Sequence, residues 1–348
     1  LYFHVPWEFT IAGIRVNDTL CDFNKYSDLV TVKLAQPFHE NEIAKIRIQY
    51  EGTFHPFNKK HEIFNENFIT TNRWHPWIWM NYYETFDFEA TVWLPEPFQA
   101  VSKGWIAKNG NHHAYQIKIN RCAQSHTALY AGAYRRYEDN SGPIPIHVFT
   151  FSHDETCARQ ILDRCKQTLA YYESVYASFP YAYLCVVEDP YQSSGGMATP
   201  TMIKMQSIQW QPENRNRFMD MYLPHEIAHQ WWGKPYPNWI CEGMAVMSNV
   251  AFLNQVQDKQ GKEILIDELD RWFQKAQIMA ANTPLKTDRN PYSYYTRAFY
   301  LFHTLYQGMG MKSFFSMMSA YNQHIAQNSH CDQEKAATIL LDNIQKKG

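Results

Sequence analysis

The sequence predicts an α+β protein in two parts: an antiparallel β portion over residues 1–148, then a portion over 149–348 in which helices dominate. Three observations carry this expectation. Apolar and polar side chains alternate through the first part, the period of a half-buried strand. From about residue 152 the period lengthens to that of an amphipathic helix. Aromatic residues make up 16% of the chain, a load that suits thick sheet cores or an aromatic-lined cleft better than a polar helical array.

Taken in order, Ile46, Ile48 and Tyr50 alternate with Lys45, Arg47 and Gln49. Phe86, Phe88, Ala90 and Val92 do the same, as do Tyr115, Ile117 and Ile119. Turn signals at Asn109-Gly110 and Ser141-Gly142-Pro143 punctuate these runs. Ser152 and Glu155 form the pattern of a capping box. Behind it, Cys157, Ile161, Leu162, Cys165, Leu169 and Tyr172 recur at helical spacing up to Pro180. Two strand-like runs, Tyr183–Val187 and Thr201–Met205, flank a Gly195-Gly196 turn. Helices are then expected at about 218–232, 240–257, 262–281, 293–307, 311–326 and 332–345, with breaks at Gly261, Pro284 and Gly308-Met309-Gly310.

With 348 residues, 45% hydrophobic and 19% charged, the chain can bury sizeable cores. The net charge of −2 argues against a nucleic-acid partner, which draws a clear basic excess. No apolar run approaches the ~18 residues of a membrane span, so none is expected in this chain. Its start shows no secretory signal and leads straight into strand-like sequence, which reads as a piece of a longer protein, membrane-linked or not. The seven cysteines are scattered, odd in number and without a C-x-x-C pair; they read as free buried thiols. They favour a cytoplasmic location slightly, and the compartment otherwise stays open. The sequon Asn17-Asp18-Thr19 is too common by chance to place the chain outside a cell.

The chemistry concentrates at His225-Glu226-Ile227-Ala228-His229. On an α-helix, histidines four apart lie about 40° apart in projection, so both imidazoles face one side and can reach one Zn²⁺. Glu226 lies about 60° from His229, close enough to take a proton from water beside the metal without being a ligand. A chance match arises in on the order of a few per cent of such chains. The bland alternative is an ordinary amphipathic helix in the apolar setting of Met221, Leu223, Trp231 and Trp232. Burying two histidines and a glutamate without partners is costly, however, and favours the metal. A catalytic zinc takes three protein ligands, and Glu242 is the candidate third. In isolation, a glutamate in a first helical turn would only complement the helix dipole.

The run His225–Gly233, HEIAHQWWG, followed by Trp239–Ala245, WICEGMA, resembles the HELAHQWFG and WLNEGFA signatures of the aminopeptidase N family of gluzincin zinc peptidases. Gly195-Gly196-Met197-Ala198-Thr199-Pro200 resembles the family's GxMEN strand, and Tyr295-Thr296-Arg297-Ala298 its Y-x-K-G segment. The resemblance covers most of the chain. It implies a thermolysin-like α/β catalytic domain behind a β-rich leading domain, and zinc-dependent, aminopeptidase-like hydrolysis of peptides with one zinc ion. It further implies zinc ligation by His225, His229 and Glu242, Glu226 as general base and then general acid, and Tyr295 as donor to the oxyanion. Gly195, Gly196 and Met197 would lend an edge strand to the substrate backbone. Tyr294 is the alternative to Tyr295.

Three departures stand out. Twelve residues separate His229 from Glu242, fewer than is usual in the family: either a shortened connection or a stretch missing from the sequence. Ala198 stands where the family carries the glutamate that pairs with a substrate's free amine. Glu188 or Asp189 could substitute, though both read as solvated turn residues. Trp74-His75-Pro76-Trp77-Ile78-Trp79 replaces a cysteine-and-acid segment and reads either as an aromatic cleft wall or interfacial patch, or as a plain aromatic cluster. His112-His113 reads as exposed loop. Two rival functions follow: a hydrolase without N-terminal specificity, whether an endopeptidase or an epoxide-opening enzyme of the leukotriene-hydrolase kind, and a non-catalytic peptide-binding module.

Overall fold

A computed structural model describes residues 1–39, 42–53, 57–59, 62–64, 67–71, 74–77, 86–103, 105–109, 114–122, 129–151, 154–190, 195–233, 236–280, 282–327 and 333–345. The chain divides into two compact units, Leu1–Tyr134 and Arg135–Gly348.

The first unit is built of strands alone among its described residues: β1 (Tyr2–His4), β2 (Phe9–Val16), β3 (Thr19–Leu20), β4 (Phe23–Tyr26), β5 (Leu29–Val32), β6 (Ile46–Gly52), β7 (Phe57–Lys59), β8 (Glu62–Phe64), β9 (Phe68–Thr71), β10 (Phe86–Trp93), β11 (Gln99–Val101), β12 (Trp105–Asn109), β13 (Ala114–Cys122) and β14 (Leu129–Gly132). They pair antiparallel in four sheets, β1-β5-β4, β3-β2-β6, β10-β13-β12 and β11-β14-β9-β8-β7. The alternation read from sequence sorts these strands: Tyr115, Ile117 and Ile119 of β13 are buried and Lys118 between them is exposed. Separate small cores result, one around Ile14 and Val30, another around Ile117 and Ala131.

Trp74 and His75 pack with Phe88 in an aromatic cluster, and Trp77 stacks on His4. The plain reading of this segment accounts for them; Ile78 and Trp79, like His112 and His113, lie outside the described residues.

The second unit opens with the hairpin β15 (Arg135–Asp139) and β16 (Ile146–Thr150), followed by α1 (Glu155–Val175), β17 (Leu184–Asp189), β18 (Gly196–Thr199) and β19 (Met202–Gln206). The sheet order is β15-β16-β17-β19-β18, parallel at β16-β17-β19 and antiparallel at both edges. The hairpin belongs with this sheet, so the division falls ahead of the expected 148/149: period-2 alternation shows a strand but not its partner. Every residue of β17 is buried, as in a central strand covered on both faces. The cap of α1 is Asp154, whose side chain accepts from Cys157 N at 3.0 Å. Ser152, read as the cap, lies outside the described residues.

Helices α2 (Leu223–Ala228), α3 (Asn238–Gln255), α4 (Lys259–Ala280), α5 (Pro291–Tyr295), α6 (Arg297–Met309), α7 (Met311–Gln327) and α8 (Gln333–Gln345) complete the unit. One large apolar core joins α1, the sheet and these helices. The expected single helix over 218–232 is instead a π-turn at Phe218–Tyr222, then α2, then a tightened end in which Gln230 N and Trp231 N bond three residues back. Asn249 of α3 donates to the Met221 carbonyl in that π-turn at 2.8 Å, so the irregular backbone is satisfied. Cys157, Cys165, Cys185 and Cys241 are buried and Cys21 half-buried, and none of these five forms a disulfide among the described residues.

Candidate metal centre

The centre lies where α2 and α3 meet. Tyr172 of α1 donates its hydroxyl to the Pro224 carbonyl at 3.0 Å and fixes the start of α2. His225 and His229 then project from one side, their rings 4.9 Å apart and nearly perpendicular. The described ends of the short connection lie close together: Tyr236 N bonds Gly233 O at 3.1 Å, and Cys241 Sγ donates to both the Gly233 and Tyr236 carbonyls at 3.3 Å. Pro235 lies outside the described residues. Gly243 lets α3 lie close to α6, since a Cβ there would stand 2.6 Å from Ala298 Cβ. Glu242 lies 3.2 Å from His225 Nε2 and 3.4 Å from His229 Nε2, and the two Nε2 atoms lie 3.2 Å apart.

These three donors are the metal-capable group of histidine, cysteine and acidic residues found among the described residues; one ligand atom from each lies within 4.8 Å of the others. Two imidazole nitrogens and a carboxylate oxygen suit zinc. The Nδ1 of His229 lies 3.1 Å from the Trp232 carbonyl, a contact that makes Nδ1 the donor and leaves Nε2 to face the cage. Two imidazole Nε2 atoms and a carboxylate oxygen facing one another at 3.2–3.4 Å are what a cation between them would satisfy.

Glu226, 6% exposed, points beside the cage without joining it. Its carboxylate accepts from the backbone of Ala198 and lies against Gly196, where a Cβ would stand 2.6 Å from Oε1. Burial pushes the Glu226 carboxyl above its ordinary range, against the pull of His225 and His229. Burial also opposes charge on His229, but the Glu242 carboxylate outweighs it and raises the imidazole to about 9. Glu242 itself is held well below the carboxylate range: burial resists its charge, and the two imidazoles prevail.

Of the two candidate tyrosines, the structure brings Tyr295 to the centre. Its ring stacks on His225 at 5.7 Å and rests edge-on against Trp272 at 5.4 Å, and its hydroxyl bonds Glu242. Burial, then the charges of Glu242 and Glu226, push its phenol far up, so it stays a protonated donor. Tyr294 instead bonds Asn238.

Gly195, with φ +44°, turns the chain into β18, which Gly196 and Met197 open; Met197 is exposed and paired in register with Lys204. Gly195 turns as the Gly-Gly signal suggests, and Gly196–Thr199 forms the short edge strand that the resemblance implies. Glu188 and Asp189 are not solvated turn residues. They end β17, buried, where Glu188 accepts from Thr150 Oγ1, Phe151 N and Ser207 Oγ at 2.6–2.8 Å and Asp189 pairs with Lys204 at 3.2 Å. The sequence reading also passed over Gln230, buried beside His229; a polar residue on a buried helix face was the signal available.

No protein-family model and no curated protein matches the sequence. Solved structures do match in fold. A two-domain M1 zinc metallopeptidase variant bound to L-arginine superposes with TM-score 0.68 at 14% identity, over 99% of this chain and 82% of that one. The chain has the fold of the M1 zinc metallopeptidases. A variant of such an enzyme from Deinococcus radiodurans, bound to a Tyr-Ser-Ala substrate, gives TM-score 0.63 at 15% identity over 93% and 78% of the two chains. Yeast LTA4 hydrolase in complex with bestatin gives 0.70 at 14% identity, with this chain matched over its full length and spanning 59% of the yeast protein. In this M1 fold, the β-rich leading part and the α/β part behind it stand in the order expected from sequence.

Proposed function

We propose that the chain is a zinc-dependent peptide hydrolase of the metallo-aminopeptidase kind, binding one zinc ion through His225, His229 and Glu242. The observation that carries the reading is the convergence of those three donors, with Glu226 and Tyr295 beside them. Held by these three residues, a zinc ion would supply Lewis-acid chemistry toward a peptide carbonyl and water.

The chain's own groups supply the rest. Glu226 takes the proton of the attacking water and later delivers it to the departing amine. Its hydrogen bond from Ala198 and its seat against Gly196 hold the carboxylate in place. The Tyr295 hydroxyl donates to the oxyanion as the carbonyl becomes tetrahedral. β18 offers its outer edge for a peptide to add as a strand, with the Gly195–Met197 backbone at its entrance.

One observation favours a second reading, hydrolysis without N-terminal specificity. On β18 the side chains are neutral, Ala198 among them, and the nearby carboxylates of Glu188 and Asp189 are already committed to Thr150, Ser207 and Lys204. A mixed library of free and acetylated peptides tests both readings, with zinc-loaded parent and Glu226→Gln compared by mass spectrometry. Cleavage by the parent and none by Glu226→Gln, with zinc retained in both, is expected. Stepwise loss of N-terminal residues selects aminopeptidase action, and cuts indifferent to acetylation select the second reading. Turnover in Glu226→Gln refutes the assignment of the base; silence from both refutes peptidase function and leaves the binding module.

A further inference from the structure

Gln230 follows the ligand His229 directly and is 5% exposed. Its side-chain amide meets the backbone of the turn between β18 and β19 at two points. Oε1 accepts from Thr201 N at 2.9 Å, and Nε2 donates to the Thr199 carbonyl at 3.0 Å. Both groups of the amide are used, much as a neighbouring strand would use them. Thr201 has φ +65°, a left-handed conformation that a β-branched residue adopts only when its surroundings enforce it. Cys185 N donates to the Thr201 carbonyl at 2.7 Å and ties the turn down to β17. Gln230 ties it to the turn that follows α2.

The other end of β18 meets the same helix through Glu226, by way of Ala198 and Gly196. The strand is therefore held by two residues, Glu226 within α2 and Gln230 in the tightened turn that follows it, the first at Gly196 and Ala198 and the second at Thr199 and Thr201. We propose that Gln230 is a positioning residue: its amide clip sets the distance between the edge strand that receives the peptide and the helix that carries the metal ligands. This rests on the peptidase reading above. A carbonyl displaced by about 1 Å from the reacting groups loses about 100-fold in rate, which is the scale on which such a clip acts.

The test is Gln230→Met, which keeps the side-chain volume and removes both hydrogen bonds. Amide hydrogen exchange over residues 195–206 should quicken, while zinc content stays unchanged. On a peptide the parent cleaves, kcat should fall about 10- to 100-fold with KM within about threefold, because binding along the strand survives and alignment does not. Adding Thr201→Gly should recover part of kcat, since glycine holds the left-handed turn without the clip. If Gln230→Met does not fold, Gln230→Glu carries the same test, because it keeps the acceptor for Thr201 N and removes the donor to Thr199. Unchanged exchange, unchanged kcat, or a loss carried wholly by KM overturns the clip. Absence of cleavage by the parent itself overturns the proposed function and this inference with it, so the two failures are distinguishable.

Discussion

Two regions of the second unit converge on the candidate centre, and they are held by different forces. The ligand-bearing pair α2 and α3 sits in the large apolar core, with Leu223, Ile227, Ala228, Ile240 and Met244 fully buried. Burial of this kind stabilises by about 25 cal/mol per Å² of apolar surface and tolerates no slack. The edge strand β18 spans four residues with no fully buried side chain, and it is held by hydrogen bonds to β19, Glu226 and Gln230. The difference suits the work proposed for each. A metal cage needs fixed distances, which packing gives; a surface that admits and releases peptides needs an open edge, which hydrogen bonds to a helix can place without covering it.

The contrast can be broken from either side. The largest effect is expected at the seam, from Gly196→Ala. A methyl group there displaces the Glu226 carboxylate, so turnover should drop about 100-fold while zinc content and thermal stability stay near those of the parent. A kinetic assay beside metal analysis reads this; equal loss of zinc would show instead that the strand supports the cage.

On the packed side, Gly243→Ala forces α3 away from Ala298 and Phe302 and should cost about 3 kcal/mol of stability. Chemical denaturation measures the cost, and a value below about 0.5 kcal/mol would show that the helices yield.

A smaller effect sharpens the comparison at the π-turn ahead of α2. Burial, and then the Asp258 carboxylate, push Asp220 up to about 6 despite Arg164 at 2.9 Å. Its ordinary value is 3.8, so between about pH 4 and 6 the folded state keeps a proton that the unfolded chain has released. Stability should therefore fall by about 1–2 kcal/mol as pH rises through that window, then level off. Asp220→Asn should remove this slope from denaturation curves taken across it.

What was legible in the sequence follows the same division. The pairing of His225 with His229 is local helix geometry, and Glu242 needed only a chain reversal, so the residues of the cage are legible in the sequence alone. The choice of Tyr295 over Tyr294 rests on the resemblance and not on a period: α5 is one turn long and ends at Tyr295, too short for a period to set its facing side. The strand β18 is legible only through the resemblance, because Gly195-Gly196 alone reads as a turn and the partners that make it a strand lie in β19. Glu188 and Asp189 looked solvated because charged residues after an apolar run usually are; Thr150, Ser207 and Lys204, which satisfy them, are distant in sequence. The hairpin up to residue 148 reads as part of the first portion for the same reason, since its pairing with β17 is non-local.

The most direct test of the central claim is a zinc titration of chelator-stripped protein, followed by peptide cleavage. The account predicts no turnover in the stripped protein, recovery that is linear up to one equivalent of zinc, and no recovery in Glu242→Ala. Turnover that survives stripping, or full recovery in Glu242→Ala, would contradict it.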